Sequence, residues 1–289
     1  MPLDLADAEA VERAAALAEE RFGQIDTWVN NAMVSVFSPV SEMTAAEYQR
    51  VTEVTYLGTV YGTLAALRRM RPRDEGTIIQ IGSALVYRSI PLQSAYCAAK
   101  AAIRGFTDSL RTELFHEHSQ IRVSMLQLPA VNTPQFDVVR SRLPRRAQPV
   151  PPIFSPELIA RAVVWTAENP VREMTIGGSA VQAILGQKLI PGLLDRYLGR
   201  VGYDSQQTDQ PADPDRADNL YQPVPGDHGA HGRFTDRSSD WSLQLWARMH
   251  QRSVGIGAAM GAALALGGIQ FGVRRRRSGR FGGWLPGGG

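Results

Sequence analysis

The feature that most constrains the fold of this chain is a regular alternation of strand-like and helix-like segments. Short runs rich in β-branched and aliphatic residues predict strands, and the longer segments between them carry apolar residues three or four positions apart, as helices do. Strands joined through helical crossovers lie parallel in one sheet. The sequence therefore predicts an α/β fold with a doubly wound parallel sheet. The predicted strands cover residues 26–32, 77–83, 121–128 and 173–180, and the predicted helices cover residues 44–69, 94–116 and 156–168.

The C-terminal third of the chain has a different composition. Residues 203–240 are rich in Asp, Pro, Gly, Gln and His and show little apolar periodicity, which predicts a flexible linker. Residues 254–273 carry no charge and precede four consecutive arginines. We therefore divide the chain into a core (1–201), a flexible polar linker (202–246) and an apolar helix with a basic, Gly-rich tail (247–289).

The uncharged run at residues 254–273 is long enough to cross a membrane, since about 20 apolar residues suffice. A soluble helix docked on the core is the alternative that the residues leave open. A single span with the arginines inside would place the core outside the cell, so we expect the run to lie on the membrane rather than to cross it. The N-terminus has no signal-peptide pattern, and the predicted location is cytoplasmic, with the tail as a candidate transmembrane or membrane-associated segment.

Charge and cysteine content exclude several classes of function. The net charge is +3, and the five arginines at 274–277 and 280 exceed it, so the rest of the chain is slightly acidic and predicts no nucleic-acid partner. The single cysteine, Cys97, excludes an internal disulfide, and no Cys/His cluster has metal-ligand spacing. We therefore expect neither a metal centre nor a disulfide framework.

The candidate chemistry lies at Ser83, Tyr96 and Lys100. Tyr96 and Lys100 are four residues apart, so on a helix they share one face. A neighbouring ammonium favours the phenolate and is expected to lower the pKa of Tyr96 from about 10, which suits an acid/base group. Ser83 ends the preceding predicted strand, where its hydroxyl can hold a carbonyl oxygen. The three residues predict a site that protonates a carbonyl while hydride arrives at its carbon.

With these residues in view, the chain resembles the short-chain dehydrogenase/reductase (SDR) family of the classical type, from about residue 3 to residue 180. The resemblance implies a Rossmann-type fold that uses NAD or NADP on a small carbonyl or alcohol substrate. It implies Tyr96 as the acid/base, Lys100 as the ligand of the nicotinamide ribose, and Ser83 as the group that orients the substrate. The residues that carry the resemblance are Asn30-Asn31-Ala32, Ser83, Tyr96-Cys97-Ala98-Ala99-Lys100 and Pro129-Ala130-Val131-Asn132-Thr133-Pro134.

The resemblance also implies roles for residues around this centre, and for an oligomer. The two long helices, 44–69 and 94–116, would form the face of a homo-oligomer. The implied cofactor contacts are Asp4 at the adenine, Asn30 and Ala32 in the groove, and Thr133 at the carboxamide, and the implied substrate contacts are Leu85, Tyr87 and Phe136.

Three departures from the family pattern qualify the resemblance. Met33 stands where the family has Gly, and Thr55 stands where it has a catalytic Asn. No Gly-x-x-x-Gly-x-Gly phosphate loop precedes Asn30, and residues 2–4 have the pattern of the end of the third strand. The expected core is therefore truncated at its N-terminus, with the native start upstream. The alternative is a non-catalytic SDR-like scaffold that acts as a membrane-associated interaction protein.

Overall fold

The structure is a computed structural model that describes residues 2–251. The strands are β1 (Thr27–Asn30), β2 (Val36–Phe37), β3 (Thr77–Ser83), β4 (Arg122–Leu128), β5 (Ala130–Val131), β6 (Arg140–Ser141), β7 (Arg145–Ala147), β8 (Ile153–Phe154), β9 (Glu173–Thr175), β10 (Gln207–Pro211) and β11 (Ser238–Ser239). The helices are α1 (Ala8–Phe22), α2 (Ala45–Val51), α3 (Gly58–Met70), α4 (Ser94–His116), α5 (Gln135–Val138), α6 (Pro156–Glu168), α7 (Gly178–Leu189), α8 (Pro191–Val201) and α9 (Leu243–Met249).

The central sheet has four strands in the order β1-β3-β4-β9, and all of them are parallel. Every residue of β3 is buried, as expected for a strand covered by helices on both faces. One face of the sheet packs against α3 and α4 through residues such as Met70, Ile78 and Leu110. The parallel sheet confirms the predicted α/β fold, and the carboxyl ends of β1, β3 and β4 lie side by side at one edge.

The strand β1 pairs only with β3 in the part of the chain that the structure describes. Thr27 and Asn31 are exposed, and the side chain of Val29 is 39% exposed, whereas β3 is buried throughout. Residues 2–4, which the sequence placed at the end of a strand, are not in strand conformation.

The predicted helix 44–69 is interrupted. Thr44 caps α2 in a capping box with Glu47, as the sequence indicates. The residues Thr52–Leu57 then form a π-helical turn before α3 begins at Gly58. Such turns insert a residue into the helix and are frequent at functional sites. Here the turn contains Thr55, the residue that stands where the family has Asn.

Residues 204–242, which we call the strap, are packed rather than flexible, in contrast to the linker predicted at 202–246. β10 pairs with β7, and β11 pairs with β8. Leu220 is fully buried in a hydrophobic cluster with Val34 and Val51. Backbone pairing and ion pairs hold the strap in place, and only a few apolar side chains anchor it. The strap sequence is therefore polar and lacks the apolar periodicity from which a packed segment would be predicted.

The contacts divide the chain after Leu245, and the residues up to that point form one compact unit that includes the strap. This boundary differs from the division predicted at residues 201 and 202. None of the helices within residues 2–251 has the length and apolar character needed to cross a membrane. The uncharged run at 254–273 lies outside the described residues.

Candidate active site

The structure brings Ser83, Tyr96 and Lys100 together. Ser83 ends β3, and its hydroxyl accepts a hydrogen bond from the amide of Leu85 at 3.2 Å and lies close enough to the Tyr96 phenol to lower the pKa of that phenol. Both Tyr96 and Lys100 lie in the first two turns of α4, and the Lys100 Nζ is 5.8 Å from the centre of the Tyr96 ring. The strand end and the helix therefore present a hydroxyl, a phenol and an ammonium at one place.

The protonation of this centre differs from the sequence expectation. Tyr96 is half-buried, and burial raises the pKa of its phenol above the usual value, while the neighbouring Ser83 hydroxyl offsets this rise only in part. Burial also lowers the pKa of Lys100 to about 8. The Lys100 ammonium donates to the main-chain oxygen of Ile81 at 2.6 Å. Tyr96 is therefore a neutral phenol near neutral pH, not the phenolate-prone group that the sequence suggested.

Lys100 provides a test of whether a nicotinamide cofactor fits. The side chain is only 2% exposed, and its three donors have one acceptor, the carbonyl of Ile81, within residues 2–251. A buried ammonium with unused donors is suited to the hydroxyls of a ribose. The residues therefore fit the nicotinamide–ribose half of the cofactor. Over the same residues, no Gly-x-x-x-Gly-x-Gly turn is present to hold the pyrophosphate.

Two of the residues assigned to the cofactor have their side chains engaged elsewhere. Asn30 donates to Gln80 at 2.9 Å and to Thr63 at 3.0 Å, and it accepts from the Trp28 indole at 2.8 Å, so its amide lies inside the helix-covered face of the sheet and not in a groove. Asp4 forms an ion pair with Arg50 at 2.8 Å. By contrast, Ala32 is exposed just beyond β1, and Thr133 is half-buried beyond β5.

Thr55, the predicted stand-in for the catalytic Asn, is fully buried. Its hydroxyl donates to the main-chain oxygen of Val34 at 3.0 Å and accepts from the Val34 amide at 3.1 Å. Both hydrogen-bonding capacities of this oxygen toward the protein are used. Thr55 therefore fastens the π-helical turn to the segment that follows β1.

The residues predicted to line the substrate side are arranged differently from expectation. The Tyr87 hydroxyl donates to Glu173 at 2.5 Å, and Arg104 stacks 4.4 Å from the ring centre. Phe136 packs edge-on between Phe37 and Phe234, with ring centres 6.2 Å and 6.1 Å apart.

Leu85, two residues after Ser83, is half-buried. Of the three predicted substrate residues, it alone donates its main-chain amide to the Ser83 hydroxyl.

Sequence reasoning missed two buried polar residues near the site. Asn132 and Gln127 are each fully buried at the carboxyl end of the sheet. Asn132 bonds to residues about a hundred positions away in the strap, a distance over which no sequence pattern carries a signal. The side-chain amide of Gln127 has no hydrogen-bond partner among the described residues.

Comparison with known proteins gives consistent results at the level of sequence. The family model of short chain dehydrogenases matches residues 1–143. The uncharacterized oxidoreductase YxnA of Bacillus subtilis (strain 168) is 33% identical over 263 residues, which cover 90% of this chain and 73% of that protein. Human dehydrogenase/reductase SDR family member 7 is 41% identical over 114 residues, which cover 39% of this chain and 34% of that protein.

Two solved structures share the fold. A short-chain dehydrogenase from Streptomyces avermitilis has a TM-score of 0.56 at 24% identity, covering 71% of this chain and 79% of that one. An alcohol dehydrogenase from Thermococcus sibiricus, complexed with 5-hydroxy-NADP, has a TM-score of 0.50 at 26% identity, covering 60% of this chain and 71% of that one. With the parallel sheet and the match to YxnA over most of both chains, these similarities show that the chain belongs to the short-chain dehydrogenase/reductase family of NAD(P)-dependent oxidoreductases.

Proposed function

We propose that this protein transfers a hydride between a nicotinamide cofactor and a small carbonyl or alcohol substrate through Ser83, Tyr96 and Lys100. The observation that carries the proposal is the convergence of these three side chains at the end of β3. The cofactor, when bound, supplies or accepts the hydride. The remaining tasks, which are to hold the carbonyl, to move a proton and to bind the ribose, fall to residues of this chain.

Each residue has one task in the proposed reaction. The Ser83 hydroxyl donates to the substrate oxygen and holds it beside the phenol. Tyr96 Oη gives its proton to that oxygen during reduction and takes it back during oxidation. The Lys100 ammonium has donors to spare for the ribose hydroxyls. Because burial keeps Tyr96 protonated, the resting site holds the proton that carbonyl reduction would consume.

Neither NAD nor NADP is selected by a residue within the described chain, and both are candidates. One structural neighbour is complexed with 5-hydroxy-NADP, so NADPH is the first cofactor to test. Leu85, which donates its main-chain amide to Ser83, and the half-buried Phe136 support an apolar carbonyl compound as substrate. The homo-oligomer face on α3 and α4 also remains a proposal, to which the exposed Leu64 on α3 lends support.

The test is a comparison of Tyr96→Phe with Tyr61→Phe in the full chain. Tyr61 lies on α3 and packs against α1, away from the site, so Tyr61→Phe is a matched control. Each protein is assayed with NADPH and NADH against a panel of aldehydes and ketones, and cofactor binding is measured by calorimetry. Tyr96→Phe should lower the rate of reduction by about 10²–10⁴-fold with nearly unchanged cofactor affinity.

Two results would contradict the proposal. A Tyr96→Phe enzyme that keeps more than about a tenth of the activity would exclude Tyr96 as the general acid. A wild-type chain that binds neither cofactor and reduces no member of the panel would instead support the non-catalytic scaffold.

A further inference from the structure

The strap forms strand pairs at both of its ends with the crossover loop (residues 129–155), which joins β4 to α6. At one end, β10 pairs antiparallel with β7, with Gln207 opposite Ala147. At the other end, β11 pairs parallel with β8, with Ser238 opposite Ile153. A segment paired with the same loop at both ends is held in register with it, so movement of the loop requires breaking backbone hydrogen bonds.

Ion pairs and an apolar anchor hold the middle of the strap. Asp218 binds the Arg140 guanidinium at 2.8 Å, and the Asn219 amide donates to the main-chain oxygen of Val138 at 2.9 Å. The next residue, Leu220, is fully buried under the segment that follows β1. The strap is therefore fixed to the crossover loop and to the main core together.

Asn132 is the point where the strap meets the strand end near the active site. It is fully buried, and its side-chain oxygen accepts a hydrogen bond from the Phe234 amide at 3.0 Å. Its side-chain nitrogen donates to the Thr235 hydroxyl at 3.2 Å, and its main-chain oxygen accepts from the Gly232 amide at 3.2 Å. The side-chain amide of Asn132 thus satisfies two polar groups of the strap and its main-chain oxygen a third, and loss of the side-chain bonds would leave buried groups unpaired.

Gly232 allows this close approach. A Cβ atom at this position would lie 2.4 Å from the main-chain oxygen of Thr133 and 2.9 Å from the side-chain oxygen of Asn132. The first of these neighbours is backbone and cannot move aside as a flexible side chain would. A side chain of any size at residue 232 would therefore push the strap away from the strand end.

We propose that Asn132 and Gly232 are positioning residues, which hold the strap as a fixed wall of the substrate site. The strap then fixes the crossover loop before substrate arrives, and the buried Phe234 packs edge-on against the half-buried Phe136 of that loop. This inference rests on the proposed function, because it takes the substrate to bind between Ser83 and the crossover loop. The substrate class that suits a preformed aromatic wall is an apolar ketone or aldehyde.

The experiment compares Gly232→Ala with Gly192→Ala in the full chain. The substitution is identical, but a Cβ at Gly192 meets no atom within 4 Å. Hydrogen exchange of the peptides covering residues 130–136 and 230–236 reports the strap contact without any assay of activity. Gly232→Ala should speed exchange in both peptides, whereas Gly192→Ala should leave both at the wild-type rate.

Steady-state kinetics on the same variants test the link to substrate. Gly232→Ala should lower kcat/KM by about tenfold or more, mainly through a higher KM for the carbonyl substrate, because the wall that positions it is displaced. Thr235→Val removes the acceptor of the Asn132 side-chain nitrogen and a long hydrogen bond to the main-chain oxygen of Gly232. It should give a smaller change in the same direction, and it serves as the second variant if Gly232→Ala does not fold.

The outcomes separate this inference from the proposed function. Equal exchange in wild type, Gly232→Ala and Thr235→Val would overturn the fixed wall, whatever the activity. Faster exchange with an unchanged KM would overturn its role in substrate binding. If no carbonyl compound is reduced by any of the proteins, the exchange comparison still decides whether Asn132 and Gly232 hold the strap, and the proposed function fails separately.

Discussion

The Lys100 ammonium donates to the main-chain oxygen of Ile81 at 2.6 Å, inside a protein that leaves only 2% of the lysine side chain exposed. The same burial lowers the lysine pKa from 10.5 to about 8. At neutral pH the folded protein therefore carries a buried ammonium charge. The hydrogen bond to Ile81 offsets only part of the free energy that is lost when this charge is removed from water. The site is organised at a cost in stability, as is common for groups whose task requires a perturbed environment.

Lys100→Met should raise the free energy of unfolding at pH 7 while abolishing turnover. A lowered folded-state pKa means that the destabilising charge is present below pH 8 and disappears as pH rises toward 10.5, the unfolded value. The gain in the free energy of unfolding should be on the order of 3 kcal/mol at pH 7, reduced by the contribution of the lost hydrogen bond to Ile81. This gain should vanish near pH 10.5.

Chemical denaturation of Lys100→Met at pH 7 and pH 10 measures this difference. Lys188→Met is the matched control, since it removes the other lysine of the chain from an exposed position. A Lys100→Met protein less stable than wild type at pH 7 would mean that the bond to Ile81 outweighs the desolvation of the charge.

The sequence was sufficient to predict that Ser83, Tyr96 and Lys100 lie close together, because their proximity depends on short-range geometry. Four-residue spacing places Tyr96 and Lys100 on one helix face, and the carboxyl end of a parallel strand places Ser83 beside them. The parallel sheet follows from the same local periodicity. These relationships require no knowledge of which distant segments meet.

The remaining features depend on contacts between segments far apart in the chain. The hydrogen bond between Asn132 and Phe234 joins positions about a hundred residues apart. The sequence of the polar strap predicts a linker, because charged residues such as Arg and Asp are usually solvated and their pairing partners cannot be identified from sequence. The rise in the pKa of Tyr96 depends on how deeply α4 is covered. Sequence spacing alone predicts neither the hydrogen-bond partner of Asn132 nor the burial of Tyr96.

Glu47→Gln should destabilise the protein at neutral pH. The carboxylate is 2% exposed and accepts hydrogen bonds from Arg142 at 2.8 Å and from the Thr44 amide at 2.9 Å. Burial opposes the charge, but these donors prevail and lower the pKa of Glu47 from 4.5 to about 2. The charge should contribute on the order of 3 kcal/mol above pH 5, and the contribution should fall away between about pH 5 and pH 2.

Urea denaturation across that range checks the Glu47 prediction. Glu9→Gln is the control, because Glu9 is exposed in α1 and should change stability by less than about 0.5 kcal/mol. A Glu47→Gln difference that stays constant between pH 7 and pH 3 would contradict the lowered pKa.

Thr55→Val should destabilise the protein because it leaves both the amide and the carbonyl of Val34 buried without their partner. The expected loss is about 1–3 kcal/mol for each orphaned group, and Thr55→Ser should restore most of it. Thr107→Val is the control: Thr107 is equally buried, but its hydroxyl donates only to the carbonyl of Ile103 in its own helix. Thermal unfolding of the three variants gives the comparison, and a Thr55→Val loss no larger than that of Thr107→Val would count against the anchor.

Gln127→Met should stabilise the protein, although Gln127 is fully buried two residues from Pro129 at the edge that carries the site. Neither the oxygen nor the nitrogen of its side-chain amide has a hydrogen-bond partner among residues 2–251, and its oxygen fills the space beside Gly82. Met has nearly the same volume and no group to leave unpaired, so removing the amide should gain about 1–3 kcal/mol.

Gln80→Met provides the opposite case on the neighbouring strand. Gln80 is also fully buried, but its amide accepts from Asn30 and donates to Thr63, each at 2.9 Å, so the same substitution breaks two buried hydrogen bonds. Equilibrium denaturation should therefore show the two variants moving in opposite directions from wild type. If Gln127→Met loses as much stability as Gln80→Met, the Gln127 amide has a partner in solution, and a buried water bridging it to the sheet edge would be the first candidate, because such waters satisfy isolated buried polar groups.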